Sequence, residues 1–194
     1  SIADAVCSEY GDNIIIQNCE IQFSGNSGIS IRSANSLVNA NIIKNCNGDG
    51  IYLESDNISV TGNTISNIGL FPGQVTNGMF TQGIRTSGAP ANAYELTYNT
   101  LQNISYNGIG CGSGQKLTIR YNFINNACKI LDDGGGIYIP GASTYTRTIE
   151  NNIILNSGAG NALADIARGI YLDEDANACI IRYNTCAGCL ESGI

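Results

Sequence analysis

The feature that most constrains this chain is a repeated Gly-Ile pair followed by residues that alternate between apolar and polar. The alternation in Ile51-Tyr52-Leu53-Glu54 is typical of a strand with one buried face. The pair recurs at Gly28-Ile29, Gly50-Ile51, Gly83-Ile84, Gly108-Ile109, Gly136-Ile137, Gly169-Ile170 and Gly193-Ile194. A strand that returns at the same point of a longer repeat indicates a solenoid, in which each coil buries its apolar face against its neighbours.

A second landmark is an Asn that stands two residues before an apolar residue. This place is taken by Cys19 and then by Asn41, Asn63, Asn99, Asn122, Asn152 and Asn184. The steps are 22, 22, 36, 23, 30 and 32 residues, so a 22-residue coil recurs and the longer coils carry loops. Stacked amides can bond along the axis and satisfy the backbone of a turn. We therefore predict an all-β parallel β-helix of about seven coils.

Composition and charge limit the kinds of partner that the chain is expected to bind. The chain has 24 Gly, no His, no Trp and a net charge of −7, and its nine basic residues are scattered, so nucleic acid is not an expected partner. No apolar run approaches the roughly 18 residues that span a bilayer, so no membrane insertion is expected. The eight cysteines form no pair of matching CxxC motifs, which favours free thiols, several of them in the interior, over disulfides.

The pattern predicts one domain over residues 1–194. Its interior is expected to include Ile29, Ile31, Ile51, Leu53, Ile84, Ile109, Cys111, Ile137, Ile139, Ile170 and Leu172. Since repeat arrays need caps and the last Gly-Ile pair ends the sequence, the helix is expected to be open at its C-terminal end. A start at Ser1, with no signal-peptide pattern, also fits a piece of a longer β-helix.

The coil GDGIYLESDNISVTGNTISN, from Gly48 to Asn67, resembles those of the pectin-lyase-like right-handed parallel β-helix superfamily, and the resemblance covers essentially the whole chain. It implies a right-handed helix and, for most members, action on polysaccharide; the family includes lyases, polygalacturonases, epimerases, phage tailspike depolymerases and adhesins. Tailspikes are similar in setting acidic residues beside aromatic ones on the outer face, without metal or cofactor. That likeness implies a homotrimer at a virion surface or another extracellular location.

Loops longer than the basic coil indicate where a site can be built. They fall mostly between the Asn landmark and the next Gly-Ile strand, in the segments Leu70–Gln82, Ala127–Asp133 and Ser157–Arg168. We expect them to rim the outer face of the Gly-Ile sheet.

The outward residues of that sheet form two predicted rows along the axis. The first is Ser30, Tyr52, Arg85, Gly110, Tyr138 and Tyr171, and the second is Arg32, Glu54, Ser87, Gly112, Pro140 and Asp173. Arg32 is expected beside Glu54 and Arg85 beside Tyr52, contacts that an ordinary surface also makes. Gly110 and Gly112 next to Tyr138 predict a shallow trough for a sugar ring. Tyr138 and Tyr171, expected about 5 Å apart, fit sugar binding and plain cross-strand packing equally well.

Carboxylates are concentrated in the same region. Seven of the 16 acidic residues lie between Asp132 and Asp175. Asp132 and Asp165 each stand four residues before their Gly and are predicted to stack within about 5 Å, with Asp133 and Asp173 nearby. Two close carboxylates in a shielded cleft take different pKa values, which supplies an acid and a base for glycoside hydrolysis. Turn formation and a calcium-binding cluster are the alternatives for these residues.

The sequence thus predicts an enzyme, a carboxylate-dependent glycosidase of tailspike type without a cofactor or metal. Its acid and base come from Asp132, Asp133, Asp165 and Asp173, and its polysaccharide contacts from Tyr138, Tyr171, Arg168, Arg85, Gly110 and Gly112. One alternative is a lyase in which Arg168 or Arg85 is the base and calcium holds a uronate. Sites that need His are excluded, and of the polygalacturonase motifs only Asp132-Asp133 is present. A non-catalytic adhesin or stalk is the alternative of another class.

Overall fold

Three sheets run along one axis, and each coil of the chain contributes one strand to each sheet. The computed structural model describes residues 3–71, 81–160 and 165–194. Every strand pairs in parallel with the equivalent strand of the next coil, so the molecule is a parallel β-helix of seven coils, as predicted. Within these three ranges no helix is long and apolar enough to cross a membrane.

The strands are short, and the equivalent ones stack in order along the axis. Sheet 1 contains β1 (Val6–Ser8), β4 (Ile29–Ile31), β7 (Ile51–Leu53), β10 (Ile84–Thr86), β13 (Ile109–Gly110), β16 (Gly134–Pro140) and β19 (Ala167–Asp173). Sheet 2 contains β2 (Ile15–Gln17), β5 (Leu37–Asn39), β8 (Ile58–Thr61), β11 (Ala93–Thr97), β14 (Lys116–Arg120), β17 (Arg147–Glu150) and β20 (Cys179–Arg182). Sheet 3 contains β3 (Glu20–Gln22), β6 (Ile42–Lys44), β9 (Thr64–Ile68), β12 (Thr100–Ile104), β15 (Phe123–Asn125), β18 (Ile153–Leu155) and β21 (Thr185–Ala187).

The Gly of the Gly-Ile pairs from Gly28 to Gly169 is required by close approach between coils. A Cβ atom on Gly83 would lie 2.5 Å from the carbonyl oxygen of Gly108, and one on Gly108 would lie 2.5 Å from that of Gly136. The Ile that follows points inward and is fully buried from Ile29 to Ile170. The Gly-Ile pair therefore combines a backbone contact between coils with a core side chain.

The predicted interior is confirmed with one exception. Leu172 is 38% exposed, because β19 is the last strand of sheet 1 and no strand covers its side chain. The first strand of this sheet was missed, since Val6 takes the place of Ile there without a preceding Gly. Gly193 lies in no strand, although its carbonyl accepts a hydrogen bond from the N–H of Ile170.

The cysteines agree with the expected use as small apolar residues. Cys46, Cys111 and Cys128 are buried, and burial raises the pKa of the Cys46 thiol to about 11. No disulfide joins any of the eight cysteines, all of which lie in the part of the chain that the structure describes.

The Asn landmark forms a continuous hydrogen-bonded ladder at the turn between sheets 2 and 3. The Asn122 Oδ1 atom accepts from both the backbone N–H and the Nδ2 atom of Asn99, at 3.0 and 3.1 Å. Asn122 in turn donates from both its N–H and Nδ2 to the Oδ1 of Asn152. Its Nδ2 also reaches the carbonyl of Leu96 at 2.9 Å. Each amide thus satisfies buried groups of two coils.

Replacing Asn122 tests this ladder. The substitution Asn122→Ala removes the acceptor of the Asn99 backbone N–H and of one Nδ2 N–H of Asn99, together with one donor to the Leu96 carbonyl. We therefore expect the free energy of unfolding to fall by about 3 kcal/mol. Gln102→Ala is the control, because Gln102 lies exposed in the neighbouring β12. Urea unfolding of both variants provides the measurement. A loss below about 1 kcal/mol for Asn122→Ala would show that water replaces the ladder.

Gly108 and Gly110 form a matched pair on either side of Ile109. A Cβ at Gly108 meets a backbone oxygen at 2.5 Å, whereas one at Gly110 meets only the end of the Gln82 side chain, which can move. We expect Gly108→Ala to destabilise the chain by about 2 kcal/mol more than Gly110→Ala in thermal or urea unfolding. Equal losses would contradict this explanation of the repeat.

Candidate functional site

The three long segments lie where the sequence predicts them. Each connects a strand of sheet 3 to the next strand of sheet 1, between β9 and β10, β15 and β16, and β18 and β19. Residues 72–80 and 161–164 of these segments lie outside the described residues. Of the described parts, Asp133 accepts a hydrogen bond from Tyr171 of β19 and Gln82 lies against Gly110 of β13, whereas Phe71 lies beside Phe23 and Asn45, which follow strands of sheet 3.

The first predicted outward row of sheet 1 is paired in register from Ser30 to Tyr171, and in the second row Pro140 pairs with Asp173. The Arg32 Nε atom lies 2.8 Å from a carboxyl oxygen of Glu54, and the Arg85 guanidinium carbon lies 4.3 Å from the centre of the Tyr52 ring. Both expected contacts are therefore confirmed. The side chains of the Arg32–Glu54 pair are each 41% exposed, so the pair contributes at most about 1 kcal/mol to stability.

A groove of about 400 Å³ opens on this face. Among the residues that line it are Arg85, Gly110, Gly112 and Tyr138, four of the residues predicted to hold sugar, together with Tyr106 and Asn107. The predicted trough over Gly110 and Gly112 is not bare, because a side chain from the preceding coil covers Gly110. The Gln82 Oε1 atom lies 1.6 Å from the point that a Gly110 Cβ would occupy, so an amide side chain covers this glycine and forms part of the groove.

A row of polar residues directly before the Gly-Ile pairs lies behind the groove, and the sequence analysis missed it. The side-chain oxygen of every second member accepts the N–H of the next: Asp4 from Ser27 at 2.9 Å, Asp49 from Gln82 at 2.9 Å, and Asn107 from Gly135 at 2.8 Å. The signal was present in the sequence, since these residues hold one fixed position in each coil.

Asn107 is a candidate ligand-binding residue in this row. Asn107 is only 1% exposed, and it is one of the residues that line the groove. Its Oδ1 atom is used by Gly135, but its Nδ2 atom has no hydrogen-bond partner among residues 3–71, 81–160 and 165–194. Because a buried donor without a partner costs free energy, this amide is well suited to donate to a ligand oxygen.

Two tyrosines join two of the predicted acids. The Tyr138 hydroxyl donates to the Asp173 carboxylate at 2.8 Å, and the Tyr171 hydroxyl donates to the Asp133 carboxylate at 3.3 Å. The rings of Tyr138 and Tyr171 are 5.3 Å apart, as expected, and meet edge to face at 82°. Burial and the neighbouring carboxylate of Asp173 raise the pKa of Tyr138, so this phenol stays protonated as a donor.

Tyr106 extends the same cluster and was not predicted. Its hydroxyl donates to the backbone carbonyl of Asp133 at 2.8 Å, and its ring lies on the groove. Burial, followed by the charge of Asp133, raises the pKa of Tyr106 to about 12. Asp173 is therefore connected to the groove through Tyr138, and Asp133 through Tyr106.

Asp132 and Asp165 lie on consecutive coils, as expected from their spacing. The contact between them runs from the backbone N–H of Asp165 to the Oδ2 atom of Asp132, at 3.5 Å. Arg168, predicted to hold sugar, stacks its guanidinium 4.0 Å from the centre of the Tyr171 ring and pairs with Glu191 at 2.8 Å. Its contacts with Tyr171 and Glu191 place Arg168 at the edge of the tyrosine cluster.

Arg85 has a buried carboxylate beside it. The Arg85 Nη1 atom lies 3.7 Å from the Oδ2 atom of Asp49, whose side chain is 4% exposed. Burial raises the pKa of Asp49 to about 6, although Arg85 and the N–H of Gln82 act in the opposite direction. Asp49 thus pairs with a cation at the groove wall, and its pKa is raised by burial.

The comparisons with known proteins define the class. The family model described as right-handed beta helix region matches residues 1–152, and the chain belongs to this family. Its three parallel seven-stranded sheets are those of a right-handed parallel β-helix. The comparison with curated proteins and the comparison with solved structures give no match. Among the described residues, no group of three or more His, Cys, Asp or Glu is arranged to hold a metal ion.

The raised pKa of Asp49 makes a stability prediction. The folded-state pKa of about 6 exceeds the usual 3.8, so the native state holds the proton more tightly, and this contribution to stability is lost as pH rises from about 4 to above 6. Asp49→Asn removes the titration but retains an acceptor for Gln82. We therefore expect the stability of Asp49→Asn relative to wild type to increase by roughly 2 kcal/mol between pH 4 and 7. Urea unfolding at both pH values measures it, and a constant difference would refute the burial of a titrating carboxyl.

Proposed function

We propose that the groove on sheet 1 binds a polysaccharide and that carboxylates beside it hydrolyse a glycosidic bond. The observation that carries the proposal is that two acids bond to residues lining one groove: the Asp173 carboxylate accepts from Tyr138, and the Asp133 carbonyl accepts from Tyr106. The buried amide of Asn107 lines the same groove. Hydrolysis of this kind needs one carboxyl group as acid and a second carboxylate as base or nucleophile. Membership of the β-helix family is consistent with action on polysaccharide.

The two acids differ in how directly they face the groove. Asp173 bonds to Tyr138, which is itself a groove wall, whereas Asp133 bonds to Tyr171 and through its backbone to Tyr106. We assign Asp173 and Asp133 as the principal pair. Asp132 and Asp165 complete the proposed pool from the adjoining loops and are second in order, since their contact involves a backbone N–H.

Sugar binding is assigned to the aromatic and cationic groups around this pair. Tyr138 presents a ring to the groove and Arg85 a guanidinium beside Asp49. Gly110 and Gly112 line the groove between them, and the Gln82 amide that covers Gly110 lines it too. Tyr171 and Arg168 stack on each other at the end nearest Asp133. An aromatic face with a few fixed polar groups is the usual composition of a small-molecule site.

The lyase alternative is less well supported by these contacts. A guanidinium next to a carboxylate stays protonated, and Arg168 pairs with Glu191 while Arg85 lies by Asp49. Neither side chain is thereby prepared to act as the base. We propose the hydrolase without a cofactor, and a tailspike-type homotrimer at a virion surface or another extracellular site remains part of the proposal.

Asparagine substitutions test the acids. Asp173→Asn and Asp133→Asn retain the size of the side chain and remove its charge, so each is expected to lower kcat/KM on a polysaccharide substrate about 10³-fold. Asp175→Asn is the control, because Asp175 is exposed on the turn after β19. Release of reducing ends by the wild-type chain is scored on acidic and neutral polysaccharides, with ultraviolet absorbance of unsaturated products measured in parallel.

The outcomes separate the candidate functions. New reducing ends without absorbance, lost in both variants, support the hydrolase. Ultraviolet absorbance of the products indicates elimination and favours the lyase over the hydrolase. Binding without any product, in wild type and variants alike, indicates an adhesin and overturns the enzymatic proposal.

A further inference from the structure

The turn between sheets 2 and 3 carries a second surface feature, one residue before the Asn ladder. The same position in the seven coils is held by Asn18, Ala40, Gly62, Tyr98, Tyr121, Asn151 and Tyr183. Every one of these residues has a positive φ, between 53° and 66°. The turn therefore requires the left-handed backbone region at this point of each coil.

Tyrosine is a poor residue for this position on structural grounds alone. The left-handed region favours Gly and Asn, and a bulky residue there is strained. The three side chains do not repay the strain by burial, since Tyr98, Tyr121 and Tyr183 are 62%, 47% and 77% exposed. An exposed aromatic ring on strained backbone, repeated in three coils, points to a binding role.

The spacing of these tyrosines leaves a slot. Tyr98 and Tyr121 lie on adjacent coils with their rings stacked, 4.9 Å between centres and 13° between planes. Asn151 takes the next coil and Tyr183 the one after, so the backbone positions of Tyr121 and Tyr183 are two coil steps, about 9.6 Å, apart. Two successive ring contacts of about 4.5–5 Å span that width. The coil spacing leaves the width of one six-membered ring between these two positions, with Asn151 on the coil between them. The Arg182 guanidinium carbon lies 5.8 Å from the centre of the Tyr183 ring.

Charged groups border the slot on the sheet 2 side. Glu150 lies 2.8 Å from Arg120 and also pairs with Arg182, which orders both guanidinium groups along the axis. These three residues carry a net charge of +1 on a chain whose total is −7. The slot therefore combines aromatic faces for C–H groups, an amide for hydroxyls and a local excess of positive charge.

We infer that the tyrosine slot between Tyr121 and Tyr183 binds a pyranose unit of an acidic polysaccharide, as a second site separate from the sheet 1 groove. The aromatic faces stack on the two faces of the sugar, Asn151 hydrogen-bonds its hydroxyls, and Arg120 and Arg182 attract its carboxylate. The slot lies at the corner of sheets 2 and 3, so it does not depend on the hydrolysis proposed for the groove.

Affinity electrophoresis in gels that contain polygalacturonate, alginate or neutral dextran tests the slot. We expect both acidic polymers to retard the wild-type chain more than dextran does. The double variant Tyr121→Asn/Tyr183→Asn should bind the acidic polymers about ten-fold or more weakly, as the loss of two ring contacts implies. Since Asn already occupies this turn at Asn18 and Asn151, the midpoint of thermal unfolding should stay the same or rise.

Two controls make the result specific. Tyr10→Asn removes an exposed tyrosine, 90% accessible, that lies outside the turn position, and should leave retardation unchanged. Asp173→Asn disables the proposed groove chemistry and should also keep the retardation, so failure of the groove proposal is distinguishable from failure of this one. A wild-type chain retarded by neither acidic polymer overturns the inference. A double variant that binds the acidic polymers as tightly as wild type also overturns the inference. If the mass of that variant in sedimentation differs from that of wild type, the corner is instead a contact between protein chains.

Discussion

The structure depends on hydrogen bonds in which each coil provides partners for the buried polar groups of the next coil. Parallel pairing puts equivalent residues directly above one another, so a side chain that completes one turn must also be compatible with its neighbours along the axis. Asn meets this condition at the sheet 2 to sheet 3 turn because its Oδ1 accepts and its Nδ2 donates in the same ladder. Glycine meets it in the Gly-Ile pairs from Gly28 to Gly169, because a Cβ atom there would lie within 3 Å of a carbonyl oxygen of the next coil.

The same constraint decides where chemistry can be placed. Two of the three corners must repeat closely to keep their hydrogen bonds, and the long insertions accordingly fall at the corner between sheets 3 and 1. The polar row before the Gly-Ile pairs is less complete, since Asn107 uses its oxygen and leaves a buried donor beside the groove. This buried donor of Asn107 thus lies in the same region as Asp133 and Asp173, the two acids that bond to tyrosines.

The repeat made most of the fold predictable, and the register of sheet 1 followed from it to the level of single contacts such as Arg32 with Glu54. What the sequence did not predict depends on side chains that leave their own coil. Gln82 covers Gly110, Tyr106 crosses to Asp133, and Asp49 lies next to Arg85, all contacts between coils of unequal length. Arg147 is a further case, because it occupies an inward position of β17 and donates to the carbonyls of Pro140, Gly141 and Asn177, which no periodic pattern indicates.

The central claim is that the sheet 1 groove is a sugar-binding site served by Asp173 and Asp133. A crystal structure of the Asp173→Asn variant soaked with an oligosaccharide that the wild-type chain cleaves tests it most directly. We expect sugar density along the groove, stacked against Tyr138 and within hydrogen-bond distance of the Asn107 Nδ2 atom, with the scissile oxygen near residues 133 and 173. Density confined to other faces of the β-helix, with an empty groove at saturating ligand, would contradict the account.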